Sequence, residues 1–108
     1  MLPEIQKLKP ADLQSGTETI EEIISGAGFY LELIQSYADS SEPDFWYDQE
    51  EAEWVALISG QAVLEFENGH LELAAGDSLT IAAHQKHRVL STSVDAVWIA
   101  LHYVAPAK

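Results

Sequence analysis

The stretch AVLEFENGHLEL, residues 62–73, decides the fold. Its first half puts Ala62, Leu64 and Phe66 on one face of an extended chain and Glu65 and Glu67 on the other, the period of two that a half-buried strand requires. Asn68-Gly69 follows. That dipeptide suits a two-residue hairpin turn, whose central residues need positive φ, so HLEL is expected to return as an antiparallel partner.

Working outward, EWVALIS (53–59) is apolar on both faces, except that Glu53 and Ser59 share a face with Val55 and Leu57. A strand covered on both sides belongs inside a sandwich or barrel, and a carboxylate at its start needs a partner or a task. Downstream come a turn at AAGD, the strand SLTIAA, a loop or strand entry at HQKH, and the strands RVLST and VWIALHY; upstream, FYLELIQSY is a strand-length run and SYADSSEPD a polar loop. Seven or eight short strands separated by turns every 6 to 12 residues predict an all-β sandwich or barrel rather than a parallel α/β sheet.

The N-terminus reads differently. Pro3 and Pro10 discourage regular structure and make residues 1–14 an expected arm. SGTETIEEIISG (15–26) is expected to be a short helix covering one end of the core. Ser15 and Thr19 stand at capping-box spacing from Glu18 and Glu22, Ile20, Ile23 and Ile24 form an i, i+3, i+4 stripe, and Gly26 is the stop.

Composition narrows the function. With 108 residues and 47% hydrophobic content, one domain over residues 15–108 is expected. Five basic against 18 acidic residues give a formal charge of −13, which repels phosphate backbones and anionic headgroups and favours cations and neutral small molecules. No stretch is long and apolar enough to span a bilayer. The segment MLPEIQKLKP lacks the basic start and apolar centre of a signal peptide, and there is no cysteine, so a cytoplasmic protein without thiol chemistry is expected. No phosphate-cradling glycine loop or Gly-x-Ser-x-Gly elbow is present.

The segment before EWVALIS, FWYDQEEA (45–52), carries three aromatics and then Asp48, Glu50 and Glu51, with Glu53 just beyond. Glu50 and Glu51 are expected to face water, and Glu53 to face inward. Here the chain resembles the cupins. Glu53, six residues and Gly60 match the end of the first cupin motif; Gly76 with His87 eleven residues later matches the second; ENGH falls in the hairpin between them. The resemblance covers roughly residues 45–103, and WYDQ, EWV, the GD turn and IAAHxxHRV look like a group of small single-domain bacterial cupins.

The resemblance implies a double-stranded β-helix, the cupin jelly-roll barrel, with the N-terminal helix added. Metal-binding cupins hold a divalent ion with two His, a Glu and a third His. Counting back from Glu53, the first two positions fall on Tyr47 and Gln49, or on Trp46 and Asp48. The implied ligands are therefore Glu53, His87 and one or both of Asp48 and Gln49, for Zn, Fe, Mn or Ni, with Tyr47, His84 and His102 as candidate pocket residues. The chain departs from the pattern where histidines are replaced, and where Ala82 and His84 stand for the usual Pro and Gly. By the same resemblance the expected function is metal-dependent oxidation or isomerisation of a small molecule by a homodimer. The alternative is a non-catalytic small-ligand-binding module.

Overall fold

Burial with a period of two runs through the computed structural model, which describes residues 1–8 and 16–105. Among these residues the chain forms eight strands: β1 (Thr17–Gly26), β2 (Phe29–Tyr37), β3 (Ala52–Ser59), β4 (Gln61–Phe66), β5 (Gly69–Ala74), β6 (Ser78–Ile81), β7 (His87–Thr92) and β8 (Ala96–Tyr103). They make a five-stranded sheet in the order β1-β2-β8-β3-β6 and a three-stranded sheet in the order β5-β4-β7. Every neighbouring pair is antiparallel, as a jelly roll requires.

The core lies between the sheets. Val55 and Leu57 from β3, Ala62, Leu64 and Phe66 from β4, and Ala96, Trp98 and Ala100 from β8 pack into one buried cluster with Leu73 and Ile81. Leu57 is fully buried, and removing such a side chain from water contributes about 1.5–3 kcal/mol. Gly60 separates β3 from β4 at φ 83°. A β-carbon there would stand 2.5 Å from Ser93 Oγ and 2.9 Å from Ala96 Cα, so both the backbone angle and the space demand glycine. The β4–β5 hairpin is present, with its turn one residue earlier than the Asn-Gly expectation. Phe66 pairs with Gly69, leaving Glu67 and Asn68 as the turn and Gly69 at φ 148°.

The helix expected over residues 15–26 is instead strand β1; Ser15 and the arm's residues 9–14 lie outside the described residues. β1 pairs along its length with β2 through a turn at Ala27 and Gly28. The isoleucine stripe has another origin. Glu18, Ile20 and Glu22 alternate opposite Ser36, Ile34 and Glu32, and a register shift between Glu22 and Ile24 then resets the phase. An interrupted period of two mimicked a helical stripe. Pairing with β2, helped by the β-branched Thr17, Thr19, Ile20, Ile23 and Ile24, outweighs the local capping signal.

The outer face of the large sheet is apolar. Leu31, Leu101 and Trp54 lie side by side in one row, and Leu33, Ile99 and Ala56 in the next. Trp54 and Ile58 are exposed there. Residues 38–47 run beside β7: Ser41 and Val89 bond through Ser41 N–H to Val89 O and Val89 N–H to Ser41 Oγ, and Tyr47 and His87 exchange both backbone hydrogen bonds. Arg88 fixes this strap from the side, donating to the carbonyls of Pro43 and Ser41 beneath the ring of Trp46. Residues 1–8 have no regular secondary structure and expose Met1, Leu2 and Ile5.

Candidate active site

A cavity of about 230 Å³ opens between the sheets. Register explains what it contains. Tyr30, His102, Glu53 and Ile81 stand side by side across β2, β8, β3 and β6, and cross-strand neighbours share a face. All four line the cavity, as do Glu18, Glu32, Tyr47, Gln49 and His87. The remaining wall is apolar, contributed by Ile20, Ile34, Val55, Leu64, Val89 and Trp98.

Glu53 and His87 are both buried, and His87 Nε2 lies 3.6 Å from Glu53 Oε1. The other ring nitrogen, Nδ1, is 2.9 Å from the carbonyl of Gln85. A carbonyl only accepts, so Nδ1 carries a proton and Nε2 faces Glu53. Burial acts to lower the His87 pKa, but Glu53 and the Gln85 carbonyl outweigh it and hold the pKa above the usual histidine value. The buried imidazole thus faces the Glu53 side chain inside the barrel, and that neighbour favours its protonated form. Tyr47 stacks on the His87 ring with centroids 5.4 Å apart, and its phenol is pushed upward by burial and by the surrounding carboxylates, Glu18 foremost.

A second pair stands on the neighbouring strands. His102 Nε2 is 2.9 Å from Glu32 Oε1, and the imidazole stacks on Tyr30 at 4.4 Å. Its Nδ1 is buried and has no hydrogen-bond partner among the described residues. Glu18, at the β1 side, accepts from Ser36 Oγ at 3.5 Å. Burial, and then the neighbouring Asp39, push its pKa up to about 7. Tyr30 donates to Glu51 at 3.3 Å; Glu51, expected to face water, is thus half-buried beside the site.

Of the residues singled out from sequence, the cavity brings together Gln49, Glu53, His87, Tyr47 and His102. Asp48 and His84 are not among the lining residues; they form their own exposed pair at 2.7 Å. This pair joins the segment before β3 to the β6–β7 loop, where the His84 N–H also donates to the Gln49 carbonyl and His84 takes φ 59°. Glu18, Tyr30 and Glu32 were missed. The alternation of Tyr30, Glu32 and Ile34 against Leu31, Leu33 and Gln35 held the signal, because it separates a mixed polar face from a mainly apolar one.

The donor set does not fit a resident metal ion. Among the described residues no three His, Asp or Glu side chains converge to hold one. Glu53 and His87 face each other, Gln49 supplies a neutral amide, and Asp48 is engaged by His84, whereas a catalytic ion takes three protein ligands and keeps an open position.

Comparison with known proteins agrees with this architecture. The family model described as cupin domain matches residues 35–102, more than half of the chain. The chain belongs to the cupin family. A provisionally assigned mannose-6-phosphate isomerase from Ralstonia eutropha JMP134 has a similar crystal structure, with 36% identity and a TM-score of 0.80 over 88% of this chain and 94% of that one. A cupin superfamily protein from Desulfitobacterium hafniense DCB-2 (12% identity, TM-score 0.75, 88% and 84% covered) shares the fold. So does a cupin protein from Bacteroides fragilis (21%, 0.70, 95% and 86%). Among curated proteins the sequence has no match. No helix among the described residues is long and apolar enough to cross a membrane.

Proposed function

We propose that the barrel binds a small molecule and isomerises it by proton transfer between Glu53 and His87. The observation that carries this reading is the buried, facing carboxyl group and imidazole in a cavity whose wall also includes Ile20, Ile34, Val55, Leu64, Val89 and Trp98. At 3.6 Å apart, the two groups reach adjacent atoms of one ligand. Glu53 takes the proton from the carbon beside a carbonyl while His87 protonates the carbonyl oxygen, giving an enediol or its amino counterpart. The carboxyl then returns its proton to the neighbouring carbon, and the ligand returns the other proton to His87, so both groups end as they began. Tyr47 fixes the imidazole plane, and the apolar wall excludes water.

The name of the relative at 36% identity supports isomerisation as a reaction class. Its named substrate carries a phosphate, for which this cavity offers neither Lys nor Arg. A non-catalytic binding module is the second reading, favoured by the mutual satisfaction of Glu32 and His102 at 2.9 Å. We further propose that a second copy covers the apolar outer rows around Trp54 and Leu101, and that the protein acts in the cytoplasm, where a chain without cysteine needs no oxidising surroundings.

The test is deuterium wash-in from D₂O, followed by NMR, across α-hydroxy and α-amino aldehydes and ketones. Wild-type protein should exchange the carbon-bound hydrogen before and after chelator treatment. Glu53→Gln should slow exchange about a hundredfold with its circular dichroism unchanged. Equal rates in the two proteins, or none above buffer, would refute catalysis; a rate lost with chelator and restored by a divalent ion would refute the metal-independent route.

A further inference from the structure

Resting on that reading of the cavity, its polar groups identify the chemical class of its ligand. Three carboxylates line it, Glu18, Glu32 and Glu53, against two imidazoles and no Lys or Arg. Even with both imidazoles protonated and Glu18 neutral, the lining carries no positive surplus; with one imidazole neutral it is negative. The formal charge of −13 adds a field of the same sign. An anion entering this site would be desolvated among carboxylates with no counter-charge of its own.

One lining residue also holds a polar atom without a partner among the described residues. His102 Nε2 lies 2.9 Å from Glu32 Oε1, which leaves the other ring nitrogen, Nδ1. That atom is buried and partnerless among the described residues, in a side chain only 4% exposed. Buried polar atoms without partners are uncommon, and this one belongs to a lining residue. The three carboxylates give the lining its negative character, while the phenols of Tyr30 and Tyr47 and the Gln49 amide add neutral polar groups. The aromatic rings of Tyr30, Tyr47 and Trp98 also line the space, and ring faces attract cations.

We propose that the cavity takes a small organic cation, a molecule bearing an ammonium group, seated between Glu32 and Glu18. An ammonium group brings a positive charge, three donors and no acceptor, the complement of the carboxylates in this lining. A volume of about 230 Å³ is below the range of drug-sized pockets, so the ligand is a compact amine. In the isomerisation reading, the ammonium end anchors at Glu32 and Glu18 while the carbonyl end meets Glu53 and His87.

Three probes of nearly one shape test this on chelator-treated full-length protein: benzylammonium, benzyl alcohol and benzoate. Calorimetry gives the affinities, and the NMR signals of the Trp98 indole N–H and the His102 ring report where each probe sits. Benzylammonium should bind at least tenfold more tightly than the alcohol, and benzoate should not bind. Glu32→Gln, and separately Glu18→Gln, should weaken benzylammonium several-fold and leave the alcohol unchanged. Alcohol binding as tightly as the amine, preference for benzoate, or no probe perturbing Trp98 and His102 would each overturn the assignment. Those outcomes leave deuterium wash-in by Glu53 and His87 intact, so failure here is separable from failure of the proton-transfer reading.

Discussion

Replacing Glu18 by Gln removes a carboxyl group that in the folded chain holds its proton to higher pH than in the unfolded chain, and the consequence has a definite sign. Burial first, and then Asp39, raise its pKa from 4.5 to about 7. Between those values the folded chain holds a proton that the unfolded chain has released. Stability contributed by this group is therefore complete below pH 4.5 and is lost as pH rises toward 7. Each pKa unit corresponds to about 1.4 kcal/mol, so the whole shift would amount to roughly 3 kcal/mol. Glu18 is only half-buried, and solvent screening brings the expected effect to on the order of 1–2 kcal/mol. Gln has the shape of the protonated acid and does not ionise. Glu18→Gln should therefore match the wild type at about pH 4 and exceed it by about 1–2 kcal/mol at about pH 8, or roughly 5–10 °C in Tm for a domain of this size. Urea unfolding of both proteins at both pH values is the assay. The quantity of interest is the change in their difference, which cancels the contribution of His87, whose raised pKa gives stability below the usual histidine value that is likewise lost with rising pH. A difference that stays constant to within about 0.3 kcal/mol, or a variant that loses ground at high pH, would refute the account.

Other expectations follow from packing. Gly60→Ala forces a β-carbon to within 2.9 Å of Ala96 Cα at φ 83°. It should lower unfolding free energy by about 2–3 kcal/mol in denaturant titration; a loss under about 0.5 kcal/mol would show that β3 and β4 are not held this tightly. Trp54→Glu places a charge on the outer face of the large sheet at a side chain 37% exposed. It should convert a dimer to a monomer in sedimentation experiments with little change in circular dichroism. A monomeric wild type, or a variant still dimeric, would remove that face from the proposed interface.

The sequence made the central strands legible because alternation and turn chemistry agreed there. Leu64 and Phe66 against Glu65 specify β4, and Gly60 and Gly76 mark chain reversals. Glu53 and His87 could be paired from spacing, although they lie on different sheets, because the family resemblance joined two distant motifs. β1 was misread for a local reason: a bulge beside Ile23 placed isoleucines at helical intervals, and no local signal announces a bulge. The acids of the first hairpin were missed for a non-local reason. Only the strand order, which lays β2 against β8, brings Glu32 to His102. Asp48 sits one residue from Gln49, and extended chain sends adjacent side chains to opposite sides; which of the two turned inward depended on the His84 partner across the loop.

The strap of residues 38–47 along β7 has a consequence for the protein in crowded solution. A sheet border with unpaired N–H and C=O groups is a template on which other chains can aggregate. Here the border of β7 is occupied from within the same molecule: Thr92 N–H bonds to Asp39 O, Asp39 N–H to Thr92 Oγ1, and Ser41 and Tyr47 engage Val89 and His87. At one border of the other sheet, β1 carries Glu21 and Glu22, whose carboxylates oppose the approach of a like strand. Strand-to-strand addition is thereby opposed along one border of each sheet, at β7 and at β1.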